Sequence, residues 1–97
     1  MPSYIVLMNW TEQGVKSFKE SVDRADAAEI ALSPTGIRFT DIRWTVGAHD
    51  LIATFEAPDD ETLAAALLTL AAQGNLRTTT LRAFTAEEMR RVVAKAT

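Results

Sequence analysis

His49 and Asp50 are the two residues whose types and adjacency most directly suggest acid–base chemistry. An imidazole with an unperturbed pKa near 6.5 exchanges a proton at neutral pH, and a neighbouring carboxylate can orient it or share that proton. The chain has one histidine and no cysteine. Any acid–base step near neutrality therefore rests on His49 or on a strongly perturbed carboxylate. Asn9 is the one polar residue near the end of an apolar stretch, and a buried amide needs partners. Arg77 could anchor a polar group. Trp10 and Trp44 could stack on a planar ligand. The catalytic candidates are thus His49 and Asp50, and the ligand-binding candidates are Asn9, Trp10, Trp44 and Arg77. Each has a structural alternative. Gly47 to Asp50 also reads as a hairpin turn in which Asp50 accepts backbone amides, and both tryptophans read as core or dimer packing.

The other reactive-looking residues lack the company that their chemistry requires. Thr78, Thr79 and Thr80 have no adjacent lysine or amine to activate them. Ser3, Ser17, Ser21 and Ser33 sit in no nucleophile elbow. Gly14 and Gly36 belong to no phosphate loop. Asp59, Asp60 and Glu61 follow a proline at a helix start, where carboxylates complement the helix dipole. With one imidazole and no thiolate, no metal site is expected, and no cofactor is expected either.

The elements that must position these residues come from one small domain of 97 residues with a net charge of −3. A sequence pI near 5.0 argues against a generic nucleic-acid surface, which wants a basic face. Arg77 with Arg82, and Arg90 with Arg91, are only local basic spots. No apolar run approaches the ~18 residues of a membrane span. The opening Met1-Pro2-Ser3-Tyr4 lacks the basic region of a signal peptide, and the absence of cysteine fits a reducing compartment. A cytoplasmic location is the expectation, with no membrane and no nucleic acid as partner.

Tyr4 to Met8 is a short apolar run and reads as a strand buried on both faces. Thr11 offers an N-cap, with Glu12 in the first turn. Val15, Phe18 and Val22 follow at helical spacing. Gly14 weakens that helix, and Ser21 or Asp23 can restart it. A second helical piece, Arg24 to Leu32, ends at Pro34 and Gly36. Ile37 to Val46 reads as a half-exposed strand, Gly47-Ala48 as a turn, and Leu51 to Ala57 as the next strand. In that strand Leu51, Ala53, Phe55 and Ala57 share one face, and Ile52, Thr54 and Glu56 the other. Asp59 caps a helix with Leu63, Ala66, Leu67, Leu70 and Ala71 as its apolar stripe and Gly74 at its end. Asn75 to Phe84 is a fourth strand. Thr85 and Glu88 make a capping box for a last helix carrying Met89, Val92, Val93 and Ala96.

The order is β-α-β-β-α-β plus a C-terminal helix, the α+β ferredoxin-like unit with an antiparallel sheet and helices on one face. Right-handed crossovers put the first and third strands at the centre. One edge of the sheet then collects Asn9, Trp10, Thr11, Trp44, Thr45, His49, Asp50, Asn75 and Arg77. The uncovered face, with Val6 or Leu7, Ile42, Ile52 and Leu81 available to meet a partner sheet, predicts a homodimer.

Three stretches carry a resemblance to a known family. Tyr4-Ile5-Val6-Leu7 with Asn9-Trp10-Thr11-Glu12-Gln13-Gly14, then Glu56-Ala57-Pro58-Asp59-Asp60, and above all Gly74 to Thr85 are similar to the GYD-domain family of small bacterial proteins. The family's naming motif, Gly-x-Tyr-Asp, reads Gly47-Ala48-His49-Asp50 here, with histidine at the tyrosine position. The resemblance marks Asp50 as a site candidate and implies a dimeric α/β barrel, in which two ferredoxin-like sheets pack together. Two functions follow as expectations. One is a homodimeric module binding a small apolar molecule. The other is a cofactor-free enzyme, monooxygenase- or isomerase-like, acting on a small apolar or aromatic metabolite with His49 as acid–base, Asp50 as its orienter, and Arg77 or Asn9 as anchor.

Overall fold

The computed structural model describes residues 1–97. Strand β1 (Ser3–Trp10) leads into a short helix α1 (Glu12–Lys16), a 3₁₀ turn at Phe18–Glu20, and helix α2 (Ser21–Leu32). After a second 3₁₀ turn come β2 (Arg38–Trp44), β3 (Leu51–Glu56), α3 (Asp60–Ala72), β4 (Leu76–Ala83) and α4 (Ala86–Ala96). The four strands form one sheet in the order β2-β3-β1-β4, every pair antiparallel. No helix is long and apolar enough to cross a membrane.

Strand β1 governs which residues go where. Its residues alternate between buried and half-buried from Ser3 to Met8, so Tyr4, Val6 and Met8 enter the core while Ile5 and Leu7 face the other way. The expectation of burial on both faces is corrected: consecutive apolar residues hide a period of two. The inward residues join Leu51, Ala53, Phe55 and Ala57 of the β3 segment with Leu32, Ile37, Leu63 and Ala66. Phe39 and Phe55 meet edge to face at a centroid distance of 4.4 Å, a favoured aromatic geometry.

Two other apolar assignments are overturned. Val6 is fully buried on the helix side and takes no part in the open face. Ile42 packs against the core as well, because a register shift between Phe39 and Asp41 inserts an extra residue. A bulge of this kind resets the alternation, so Phe39 and Ile42, three positions apart, face the same way. The open face carries Ile5, Leu7, Ile52 and Leu81. Ile5 pairs with Leu81, and Leu7 pairs with Ile52, so the four are contiguous across three strands.

Val15, Phe18 and Val22 make no inward stripe, and all three are exposed. The helix stops at Lys16, and the 3₁₀ turn changes the angular phase before α2 begins at Ser21. Gly14 has a role beyond weakening a helix. A Cβ there would lie 2.1 Å from the Asn75 carbonyl oxygen, so only glycine lets α1 close on the chain between α3 and β4.

The caps behave as their sequences suggest. Thr11 accepts from the Gly14 amide, Asp59 from Thr62, and Thr85 with Glu88 forms a complete capping box. Asp59 is held below the usual carboxylate range by the Thr62 backbone hydrogen bond, and Glu88 by that of Thr85. Both caps therefore stabilise the fold above the ordinary carboxylate pKa and weaken as pH falls through it. Asp60 accepts a hydrogen bond from the buried Tyr4 hydroxyl. Burial, reinforced by that bond, pushes the Tyr4 phenol from 10.0 up to about 12.

Tyr4 is the only tyrosine in the chain, so its ionisation can be read without interference from a second phenol. Its absorbance change at 295 nm centres near pH 12 in the folded protein. The folded state keeps the phenol proton longer than the unfolded state. Stability from this group is therefore complete below pH 10 and declines as pH rises from there through about 12. Gly14→Ala, in turn, lowers stability in urea by about 1–3 kcal/mol, the usual size for overpacking.

Candidate functional site

The loop between β2 and β3 folds back on itself and onto β1. Thr45 donates its amide to the Asp50 carbonyl at 2.9 Å and its hydroxyl to the His49 carbonyl at 2.5 Å. Gly47, at φ 142, supplies a bend that a side chain would strain. The Asp50 amide donates to the Met8 carbonyl at 2.9 Å, extending the β1–β3 ladder. The Asp50 carboxylate accepts the Trp10 amide at 2.9 Å. One aspartate thus satisfies the last amide of the central strand, in the manner of a turn aspartate.

His49 has a different partner. Its Nδ1 lies 2.9 Å from Asn9 Oδ1, while Asn9 Nδ2 donates to the Ala48 carbonyl at 2.9 Å. With the amide oriented that way, Nδ1 of His49 is the donor and Nε2 is left free. His49 and Asp50 share no hydrogen bond: successive residues at the hairpin end point apart, one toward the Asn9 side chain and the other toward the Trp10 backbone.

The six candidates gather at one end of the sheet but divide between its faces. Arg77 is the register partner of Asn9, so Asn9, His49 and Arg77 lie at the end of the open face. Trp10 and Trp44 lie on the helix side. The Trp44 indole donates to Ser21 Oγ at 2.8 Å, tying β2 to the start of α2. Trp10 lines a cavity between the sheet and α2, which neither His49 nor Asp50 lines.

A second polar junction sits beside these residues; the sequence places its Thr11 and Asn75 at this edge but does not single out Gln13 or Gln73. Thr11 donates its hydroxyl to the Gly74 carbonyl at 2.5 Å and its amide to the Asn75 carbonyl at 3.1 Å. Gln13 Nε2 donates to the Gln73 carbonyl and to Asn75 Oδ1, at 3.0 and 2.9 Å. The signal for this junction was the isolated glycine at position 14, which commonly marks close backbone approach. Arg24 and Ser21 also line the cavity; the sequence marks Ser21 only as a helix restart and gives no signal for Arg24.

Four antiparallel strands with two crossover helices on one face define a ferredoxin-like α+β domain, here with a polar hairpin closing one end of the sheet. A GYD-domain family profile matches residues 4–93, and the chain belongs to the GYD-domain family. A Thermus thermophilus protein named glutamine synthetase and cystathionine beta-lyase binding protein is 32% identical over 84 residues, covering 86% of this chain and 88% of that one. The crystal structure of TTHA0845, also from Thermus thermophilus, superposes with a TM-score of 0.55 at 25% identity, covering 89% of this chain and 96% of that one.

The hydrogen bonds separate the two neighbours energetically. Asp50→Ala removes a charged acceptor from a half-buried amide and lowers stability by about 1.5–3 kcal/mol, whereas His49→Ala lowers it by about 1 kcal/mol. A double-mutant cycle between Asn9→Ala and His49→Ala, read by urea unfolding, returns a coupling of about 1 kcal/mol. The corresponding cycle between His49 and Asp50 returns less than about 0.5 kcal/mol.

Proposed function

We propose that this protein is a homodimeric, non-catalytic binding module, and that the partners of the dimer are metabolic enzymes of the kind named for its Thermus relative. The observation that carries the reading is the apolar surface left uncovered on a domain with only one helical layer. Ile5, Leu7, Ile52 and Leu81 form a continuous patch, with Leu81 47% exposed. It is bordered by the ion pair Arg38–Glu56, which joins β2 to β3, and by Arg43–Asp41 on β2. An apolar centre with a charged rim is the anatomy of a protein interface. A second copy presents the same patch, so a two-fold arrangement is self-complementary.

Helix α4 extends the uncovered surface. It buries no residue, and Met89, Val92 and Val93 stand exposed along it. The hairpin supports binding over catalysis, because the Asp50 carboxylate is engaged by a backbone amide and does not orient His49. The alternative, a cofactor-free enzyme using His49 and Asp50 as a pair, needs a hydrogen bond that this geometry replaces with two others.

Light scattering at low micromolar concentration gives a particle of twice the 10.6 kDa chain mass, and the paired substitution Ile5→Glu with Leu81→Glu halves it. Titration calorimetry against glutamine synthetase and cystathionine beta-lyase from the same source shows saturable binding to at least one of them, without turnover of a substrate by the module. A 10.6 kDa particle would sink the dimer, and silence with both enzymes would sink the partner class.

A further inference from the structure

Between the sheet and α2 lies a cavity of about 50 Å³, several times the ~10–15 Å³ that a single water requires. Its walls are apolar, built from Met8, Leu51, Phe55, Ala28 and Leu70. The polar groups on its lining are Trp10, Ser21, Arg24, Gln73 and Asn75, and their hydrogen bonds leave a consistent remainder. Trp10 Nε1 is shielded from solvent and has no partner, the one buried side-chain N or O atom in the structure so left. Ser21 Oγ accepts from Trp44, so its own proton is free to donate. Arg24 directs one terminal nitrogen to the Ser17 carbonyl and hydroxyl at 2.9 Å, with the Glu20 carboxylate 3.8 Å from the same nitrogen, leaving the other N–H groups of its guanidinium. Asn75 Oδ1 already accepts from Gln13, so its spare capacity is the NH₂.

All five polar side chains on the lining carry N–H or O–H donors, and Gln73 adds an amide oxygen. The one atom left without a partner is a donor, the Trp10 indole N–H, and a single water would fill only a fraction of the cavity. A C=O oxygen, with two lone pairs, matches the orphaned donor, and an apolar remainder matches the walls. We infer that this cavity is a binding site for a compact apolar molecule bearing one carbonyl or carboxylate oxygen, held by the Trp10 indole N–H with Ser21 and Arg24 beside it. The site lies on the opposite side of the sheet from the dimer face and does not depend on the protein-binding reading.

The test uses the ¹⁵N-labelled full chain and the Trp10 indole resonance, assigned by comparison with Trp44→Phe. Three small probes of similar apolar size are titrated: isobutyrate, 2-butanone and isobutylamine. Saturable downfield movement of the Trp10 N–H with isobutyrate or 2-butanone, and none with isobutylamine, is the expected result. Arg24→Gln separates the two oxygen classes. A tenfold or greater loss of isobutyrate affinity with 2-butanone unchanged identifies a carboxylate site; 2-butanone binding alone, indifferent to Arg24, identifies a carbonyl site. In Trp10→Phe, which keeps a ring in the wall, affinity measured by saturation-transfer NMR falls at least tenfold while the amide spectrum stays dispersed. The inference is overturned if neither oxygen-bearing probe moves the Trp10 resonance saturably, if isobutylamine moves it equally, or if a folded Trp10→Phe binds as the parent does.

Discussion

Strand β1 is held between β3 and β4, and its two-residue alternation reaches both neighbours through the antiparallel registers. Tyr4, Val6, Met8 and Trp10 are committed to the helix side, so their partners on β3 are committed too. Ile5, Leu7 and Asn9 go to the other side with Ile52, Leu81 and Arg77. A one-residue slip would exchange the two sets. The core, the cavity and the uncovered patch are consequences of this one register, and so is the separation of Trp10 from Asn9 despite their adjacency. The Asp50 carboxylate on the Trp10 amide, with the Asp50 amide on Met8, pins that register at its far end.

That arrangement also explains why a cluster that converges in topology does not converge in chemistry. Six polar or aromatic residues arrive at one end of the sheet, yet a sheet is a partition. What lies above it meets α2, and what lies below it meets whatever covers the open face. His49 and Asn9 satisfy one another below, Trp10 faces an apolar hollow above, and Asp50 is used at the boundary between them. Adjacency in sequence, as between His49 and Asp50, works against contact where the chain is extended.

Much of the architecture was legible in the residues. The order of elements, the caps at Thr11, Asp59 and Thr85, the terminating glycine at 74 and the alternation of β3 all depend on chemistry within a few positions of the chain. The losses occurred where a local pattern had two readings. In β1 an unbroken apolar run concealed which half was core. Ile42 changed faces through a bulge that nothing near Thr40 announces. Val15, Phe18 and Val22 kept helical spacing across a segment that is not one helix. At the candidate site the sequence brought Asp50, His49, Asn9 and Trp10 to the same end. The partner of each was set by side-chain direction across the sheet, and for Gly14 by a carbonyl from Asn75, sixty-one positions away.

Helix α4 has a firm start and buries none of its residues. Its capping box satisfies the first turn, and Glu87 and Arg91 pair along its flank, but eleven residues are too few for a helix to persist in water on local terms alone. Its helical content is therefore a thermodynamic variable tied by mass action to the concentration of whatever it lies against. A partner packed along Met89, Val92 and Val93 would raise the helical content of the C-terminal segment, which would then report occupancy of that surface.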